Sequence, residues 1–258
     1  MEQLLRATAE AERHHFWFRG FRAFVTPLVA QAVGNAPDAR LLDCGCGTGA
    51  NLDLLGQYGR AYGVDLSAVG LQIARAAGRK GLIRATVAAM PLRSETFDLV
   101  TSFDVLYSLE EPLEQAAVAE MFRLTRPGGH ALINVAALSF LRGDHSVLSR
   151  EVRRYSRRTL EQLVRAAGFT VVRLTYTNLT LFFPLLTVRL VHRWRGLAAE
   201  TDAKREISVP SAPINALLTG LLRLESIWLR YVDNPVGTSL LCLAQKPVSA
   251  PAAEPPLR

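Results

Sequence analysis

Cysteine, methionine and tryptophan are scarce in this chain of 258 residues, with three of each. Cys44, Cys46 and Cys242 form no even set for a disulfide framework and match no zinc-ligand spacing, which excludes a stapled secreted scaffold and a zinc module. A reducing cytoplasm is the compartment such usage suits. No H-E-x-x-H or comparable ligand set occurs, so no metal is expected. Long apolar runs are missing too. The longest uncharged one, at 179–188 (LTLFFPLLTV), contains Pro184 and is about half of the ~20 residues a membrane span needs. The opening MEQLLRATAEAERHH mixes acids and bases and lacks an apolar core with a cleavage site, so no secretory signal is expected.

Acidic residues are also in the minority, and the formal net charge is +7. The imbalance is local. Between Arg142 and Arg195 stand eleven arginines against Asp144, Glu151 and Glu161, an excess as large as that of the whole chain. A negatively charged partner or substrate is worth considering there, including peripheral contact with an anionic membrane.

What is present is the patterning of an α/β protein. With 49% hydrophobic and 21% charged residues, the chain suits one large domain or a core carrying an insertion. Residues 1–36 read as helical, with the aromatic-rich HHFWFRGFRAF near their middle. Apolar runs follow at 40–44, 61–66, 82–88, 97–103 and 130–137, separated by helix-compatible stretches, so a mainly parallel sheet covered on both faces is expected. Residues 155–168 form the clearest helix, with Ser156 as N-cap, Tyr155 and Leu160 as a hydrophobic staple, and Gly168 as terminator. A strand at 169–177 should pair with a last strand at 238–246. The long gap between them marks 178–236 as an insertion containing a helix at 213–232, whose apolar positions crowd more than one face.

The sharpest local signal is LLDCGCGTG at 41–49, a hydrophobic strand running into Gly45, Gly47 and Gly49 just before a helix. Glycines permit a tight turn and close approach of a ligand to the backbone. Twenty-two residues after Asp43, a second strand ends at Asp65, where an acid can accept hydrogen bonds from ribose hydroxyls. Gly45, Gly47 and Ala50 also satisfy the loose G-x-G-x-x-A dinucleotide fingerprint. Asp43 argues against that rival, because it would repel a pyrophosphate and welcome a cationic ammonium or its ordered water.

Five segments in order resemble the class I S-adenosylmethionine-dependent methyltransferases, in the methyltransferase-domain (type 11-like) group whose members often act on small molecules. They are LLDCGCGTG, GVDLS, ATVAAMPLRSETFDLV, SFDVLYSLEEP and LTRPGGHALINV. The resemblance implies a Rossmann-like, doubly wound, seven-stranded sheet, mainly parallel with an antiparallel last strand, plus a helical N-terminal segment and a helical insertion. It implies S-adenosylmethionine as cofactor, with Asp43, Gly45, Cys46, Gly47 and Gly49 around the methionine end and Asp65 on the ribose. Leu66 would pack on the adenine, Thr86 and Val87 would lie near its edge, and Phe103 and Asp104 would border the reacting methyl. The implied organisation is an N-terminal lid at 1–36, a core at 37–177, an acceptor cap at 178–236, the last strand at 237–247 and a disordered tail at 248–258.

Methyl transfer from a sulfonium chiefly requires alignment of donor and acceptor. A base is needed only where the acceptor must lose a proton. Ser108 stands where members commonly have His, so no family-wide base carries over. The candidate bases are His15, His145 and Tyr107, although each histidine is equally at home on an exposed turn or loop. Trp17 and Arg19, in the aromatic segment, and Arg154 and Tyr155, in an R-R-Y segment shared with one bacterial branch, are the candidate acceptor contacts. The arginine run at 150–158 also has a plain reading as a solvated helix face.

The expected activity is transfer of a methyl group to an O or N of a small, lipophilic or anionic molecule. A nicotinamide-dependent oxidoreductase, an RNA methyltransferase and a non-catalytic S-adenosylmethionine-binding protein are the alternatives. The second is disfavoured because SFDVLYS is not the N-P-P-Y type used for base amines and no RNA-binding module is visible, so nucleic acid is not an expected partner. The expected location is cytoplasmic, with membrane contact and oligomeric state left open.

Overall fold

The computed structural model describes residues 8, 9, 11–36, 38–141, 151–195 and 209–248, without the side chains of 141 and 188–195. The expectations placed on His145, on Arg150 and on residues 249–258 of the tail lie outside the described residues.

Seven strands form one sheet: β1 Arg40–Cys44, β2 Arg60–Asp65, β3 Leu82–Arg84, β4 Phe97–Phe103, β5 Thr125–Ala136, β6 Thr170–Thr177 and β7 Ser239–Gln245. Their spatial order is β3-β2-β1-β4-β5-β7-β6. Strands β1 to β5 pair in parallel, and β7 runs antiparallel between β5 and β6. The expected mainly parallel, doubly wound sheet with an antiparallel last strand is the observed one.

Neighbouring residues of each central strand divide between two apolar layers, as the two-residue period requires. Leu41, Leu99, Leu132 and Leu241 face one layer. Leu42, Val100, Ile133 and Cys242 face the other. The first layer is covered by α1 (Phe16–Val33), α2 (Ala50–Leu55) and α7 (Ala212–Trp228). The second is covered by α4 (Glu111–Leu124) and α5 (Arg157–Ala166). A short α3 (Ala68–Ala76) links β2 to β3.

Several boundaries differ from the sequence pattern for identifiable reasons. Strand β3 stops at Arg84 because the chain turns, pairing Thr86 with Ala89, and Met90 N donates to Glu120 Oε2 at 2.9 Å instead of extending a ladder. Strand β5 begins at Thr125, opposite Phe97, and takes the Pro-Gly-Gly segment into the strand through a register shift. Helix α5 starts as expected. Ser156 caps Thr159 N at 3.2 Å and Thr159 Oγ1 accepts from Ser156 N at 2.9 Å, closing a reciprocal box.

The insertion holds a second helix that periodicity did not reveal, α6 (Leu179–Arg195), with Pro184 inside it. Its start is fixed from far away. The buried carboxylate of Glu225, on α7, accepts from Leu179 N at 2.8 Å, from Thr180 N at 3.0 Å and from Thr180 Oγ1 at 2.8 Å. An anion at a helix N-terminus satisfies orphan donors and opposes the helix dipole.

Candidate functional site

The sheet changes winding direction between β1 and β4, and ligands of open α/β sheets bind outside the carboxyl ends of the strands at such a point. The glycine turn lies there. Gly45, Gly47 and Gly49 have φ of 84°, 53° and 81°, a region that costs other residues strain. At Gly45 a Cβ would also meet Val105 Cγ2 at 2.3 Å, so the turn and the exit of β4 touch directly.

Asp43, on β1, is 1% exposed. Thr101 of the adjacent β4 donates its hydroxyl to Asp43 Oδ1 at 2.7 Å. Oδ2 is buried with no hydrogen-bond partner among the described residues. Burial, and to a lesser extent the charge of Asp65, push this carboxyl up to about 7. A buried, unpaired carboxylate oxygen beside a glycine turn fits a cation.

Asp65 ends β2 with its two oxygens accepting from Gly47 N and Ser67 N, each at 2.7 Å. It ties the glycine turn to the cap of α3, and each oxygen keeps acceptor capacity. Leu66 follows with 65% of its surface exposed, an apolar side chain left open beside the turn. Thr86 is exposed, whereas Val87 is buried in the core layer. Cys46 is buried against Gly63, and burial raises the thiols of Cys44 and Cys46, so neither is a poised nucleophile.

Two neighbouring residues at the end of β4 behave differently. Phe103 is buried under α1, its ring edge-on to Phe21 at 5.0 Å, and so belongs to the core rather than to an open site. Asp104 turns out of the strand with φ of 60° and is exposed. Asn134 Nδ2, from β5, donates to its Oδ1 at 3.0 Å. Protein atoms nonetheless crowd its carboxyl. That enclosure, offset in part by Asn134 and reinforced by Glu151, raises its carboxyl to about 7.

The structure redistributes the other candidates. Tyr107 is buried and its phenol is pushed well above the ordinary range, which removes it as a base near neutral pH. Tyr155 is a core residue whose hydroxyl donates to the buried Glu114, so it is unsuited to contact an acceptor. Arg154 is held by Glu151 at 2.8 and 3.1 Å and by the carbonyl of Ala137 at 3.3 Å. Arg153 pairs with Glu114 at 2.7 Å, and among the described residues of the run Arg157 and Arg158 present the plain solvated face. The arginine run is thus half internal ion pairing.

His15 is the N-cap of α1. Its Nδ1 accepts from Trp17 N at 3.1 Å, its ring stacks on Phe16, and burial lowers its pKa. That is a structural post, and one ring nitrogen is already committed. Trp17 and Arg19 are half-buried on the first turns of the same helix. The residue of this segment that reaches the glycine turn is one the sequence did not single out. Glu12 accepts the hydroxyl of the buried Thr48 at 2.9 and 2.7 Å, while Arg79 Nη1 donates to the Thr48 carbonyl at 2.7 Å. A cavity of about 510 Å³ between the N-terminal segment, α2 and α3 includes Glu12 and Arg79 but none of Asp43, Asp65 or Asp104. It is separate from the convergent carboxylates.

The family described as Methyltransferase domain matches residues 42–133, from β1 through most of β5. A probable S-adenosylmethionine-dependent methyltransferase of Mycolicibacterium smegmatis is 29% identical over 161 residues, covering 61% of this chain and 60% of that protein. A malonyl-[acyl-carrier protein] O-methyltransferase of Methylococcus capsulatus is 32% identical over 165 residues, covering 57% and 58%. The matches therefore span less than two thirds of these relatives' lengths. Among solved structures, the [4+2]-cyclase SpnF superposes with a TM-score of 0.57 at 22% identity, covering 88% of this chain and 81% of that one. The fold is the Rossmann-like α/β sheet of the class I enzymes. Residues 42–133 match the methyltransferase-domain family, and the chain is similar to class I S-adenosylmethionine-dependent methyltransferases over that core.

Proposed function

We propose that this chain binds S-adenosylmethionine across the open ends of β1, β2 and β4 and methylates an oxygen or nitrogen of a small acceptor held beside Asp104. The observation that carries the reading is the buried, unpartnered Oδ2 of Asp43 beside three left-handed glycines. That oxygen would receive the methionine ammonium, directly or through one water. Asp65 would accept the ribose hydroxyls on its remaining lone pairs, and the exposed Leu66 would lie against the adenine. A nicotinamide cofactor would set its pyrophosphate against the same turn, where the Asp43 carboxylate repels it.

When bound, S-adenosylmethionine supplies a methyl group on a sulfonium that departs as a neutral thioether. The chain's own residues then have two tasks, alignment and handling of the acceptor's proton. Asp104 is suited to both. Asn134 fixes Oδ1, which leaves Oδ2 for a donor on the acceptor, and a carboxyl with a pKa of about 7 is a competent base near neutrality. With Glu151 nearby and Arg154 already paired, this point favours a hydroxyl or amine over an anionic group. An apolar remainder of the acceptor is compatible with the aromatics of α1 and α6.

Calorimetric titration with S-adenosylhomocysteine, with NADH as control, tests the cofactor. Binding of the former alone, lost in Asp65→Ala and weakened in Asp43→Asn, is expected; preference for NADH would sink the reading. With labelled methyl donor and an acceptor panel, Asp104→Asn should lower kcat by roughly 10²–10⁴-fold while leaving homocysteine-product affinity nearly unchanged. Parallel loss of both would make Asp104 a cofactor residue instead.

A further inference from the structure

Helix α7 is built the wrong way round for a protein surface. Its buried residues are Asn215, Thr219, Leu222, Glu225 and Ser226, four of the five polar. Its exposed residues include Ile214 at 53%, Leu217 at 64%, Leu224 at 66%, Ile227 at 50% and Trp228 at 55%, with Tyr231 just beyond at 82%. Positions 214, 217, 221, 224, 228 and 231 follow one another by alternating steps of three and four, which places them on one continuous seam.

The rotation of the helix is locked from the inside. Asn215 Oδ1 accepts from Phe16 N and its Nδ2 donates to the His14 carbonyl, both at 2.8 Å. Glu225 caps α6 and also accepts from Asn234 Nδ2 at 2.9 Å. Leu222 packs on Gly20 so closely that a Cβ there would sit 2.3 Å from Leu222 Cδ1. Turning the apolar seam inward would break all of these contacts.

We propose that the outward face of α7 docks on an anionic lipid surface. Arg223 and Arg230, both exposed, run along the flank of the seam next to Ile227. Among the described residues no carboxylate shares that face: Glu225 points inward, and Asp233, past the helix end, pairs with Arg173 at 2.8 Å. Phosphate headgroups complement this pattern. A second copy of the chain does not, because a two-fold contact sets a patch against itself and would bring arginine to arginine without an acid. Trp228 and Tyr231 are residue types that settle at a bilayer's polar boundary. No helix among the described residues is long and apolar enough to cross a membrane, so the association is of the in-plane kind. Because α7 lies directly on α1, and α1 on Phe103, docking holds the end of β4 about two helix layers from the lipid, ~20 Å. The docking stands independently of the methyl-transfer reading.

Co-sedimentation of the full chain with vesicles of phosphatidylcholine alone, and of phosphatidylcholine mixed with phosphatidylglycerol, tests it. The anionic vesicles should bind roughly tenfold or more tightly, less so as salt rises, with a blue shift of tryptophan emission absent in Trp228→Phe. Leu224→Ser with Trp228→Ser should lower binding by at least about tenfold. Arg223→Glu with Arg230→Glu, a surface change that leaves the packed face intact, should abolish the anionic preference. Both should retain S-adenosylhomocysteine affinity and the native circular dichroism. Equal binding to both vesicle types would overturn the electrostatic part. No vesicle binding would overturn the whole, whether the chain is then a dimer dissolved by the serine changes, which makes the seam a self-interface, or a monomer whose seam its own residues 196–208 cover.

Discussion

Thr101 donates its hydroxyl to Asp43 Oδ1 at 2.7 Å across the β1–β4 pair, and among the described residues nothing pairs with the other, buried oxygen of the same carboxyl. Ligand-free, this carboxyl holds a proton up to about pH 7. A cation at Oδ2 would favour the ionised form and expel that proton. S-adenosylhomocysteine should therefore bind more tightly as pH rises from 6 through 7 and then level off. Its calorimetric enthalpy should depend on the buffer's ionisation enthalpy. Asp43→Asn should flatten the profile and weaken binding about 10- to 100-fold, the worth of a charge-assisted hydrogen bond.

The same carboxyl sets a pH dependence of stability. Its folded pKa lies above its ordinary value of 3.8, so its contribution is complete below about pH 4 and is lost as pH rises through about 7. Asp104 acts in the same direction, with less weight because it meets solvent. Thermal melts of the ligand-free protein should show Asp43→Asn gaining on the parent by roughly 5–10 °C between pH 5 and pH 8. A constant offset across that range would rule out the buried neutral carboxyl.

Leu66 is exposed in the free protein and touches the core little, so its replacement separates binding from folding. Leu66→Ser should leave the melting temperature within about 1–2 °C and weaken S-adenosylhomocysteine by roughly tenfold, the value of one covered leucine face. Unchanged affinity would place the adenine elsewhere.

Gly20 is a close-approach glycine in the middle of α1. Gly20→Ala should destabilise the protein by roughly 1–3 kcal/mol despite alanine's better helix propensity, because the methyl group collides with Leu222. Leu222→Ala in the same chain should recover part of that loss, a non-additivity that denaturant titration would measure.

Glu225 serves four donors from two segments, none of them a cation. Glu225→Ala should cost about 2–4 kcal/mol and accelerate hydrogen exchange at the amides of Leu179 and Thr180. A variant with normal protection there would mean that α6 is held by its apolar contacts alone.

Most of the sheet was legible because it is written in local chemistry. Strands β1 and β4 stand where their apolar runs place them, since residues buried on both faces leave an unbroken signal. Asp43, Asp65 and the glycines share one short loop and the strand after it, so spacing alone groups them. The N-cap of α5 was equally plain, because capping is a matter of residues three apart.

What sequence left hidden is contact between distant segments. Whether Phe103 or Asp104 faces the cleft is decided by a single left-handed residue at a strand end, and α1 covers the first while the second turns outward. Tyr155 and Arg154 look like acceptor-binding residues until Glu114, some 40 positions earlier, is found against the first and Glu151 against the second. Helix α6 has a proline in its interior, and its first amide is held by a carboxylate 46 residues later. Local patterning determined the elements and the glycine turn of this protein. Tertiary structure alone decided which carboxylates are buried, which arginines are already paired and which face of α7 looks outward, because those properties depend on neighbours the chain meets only after it folds.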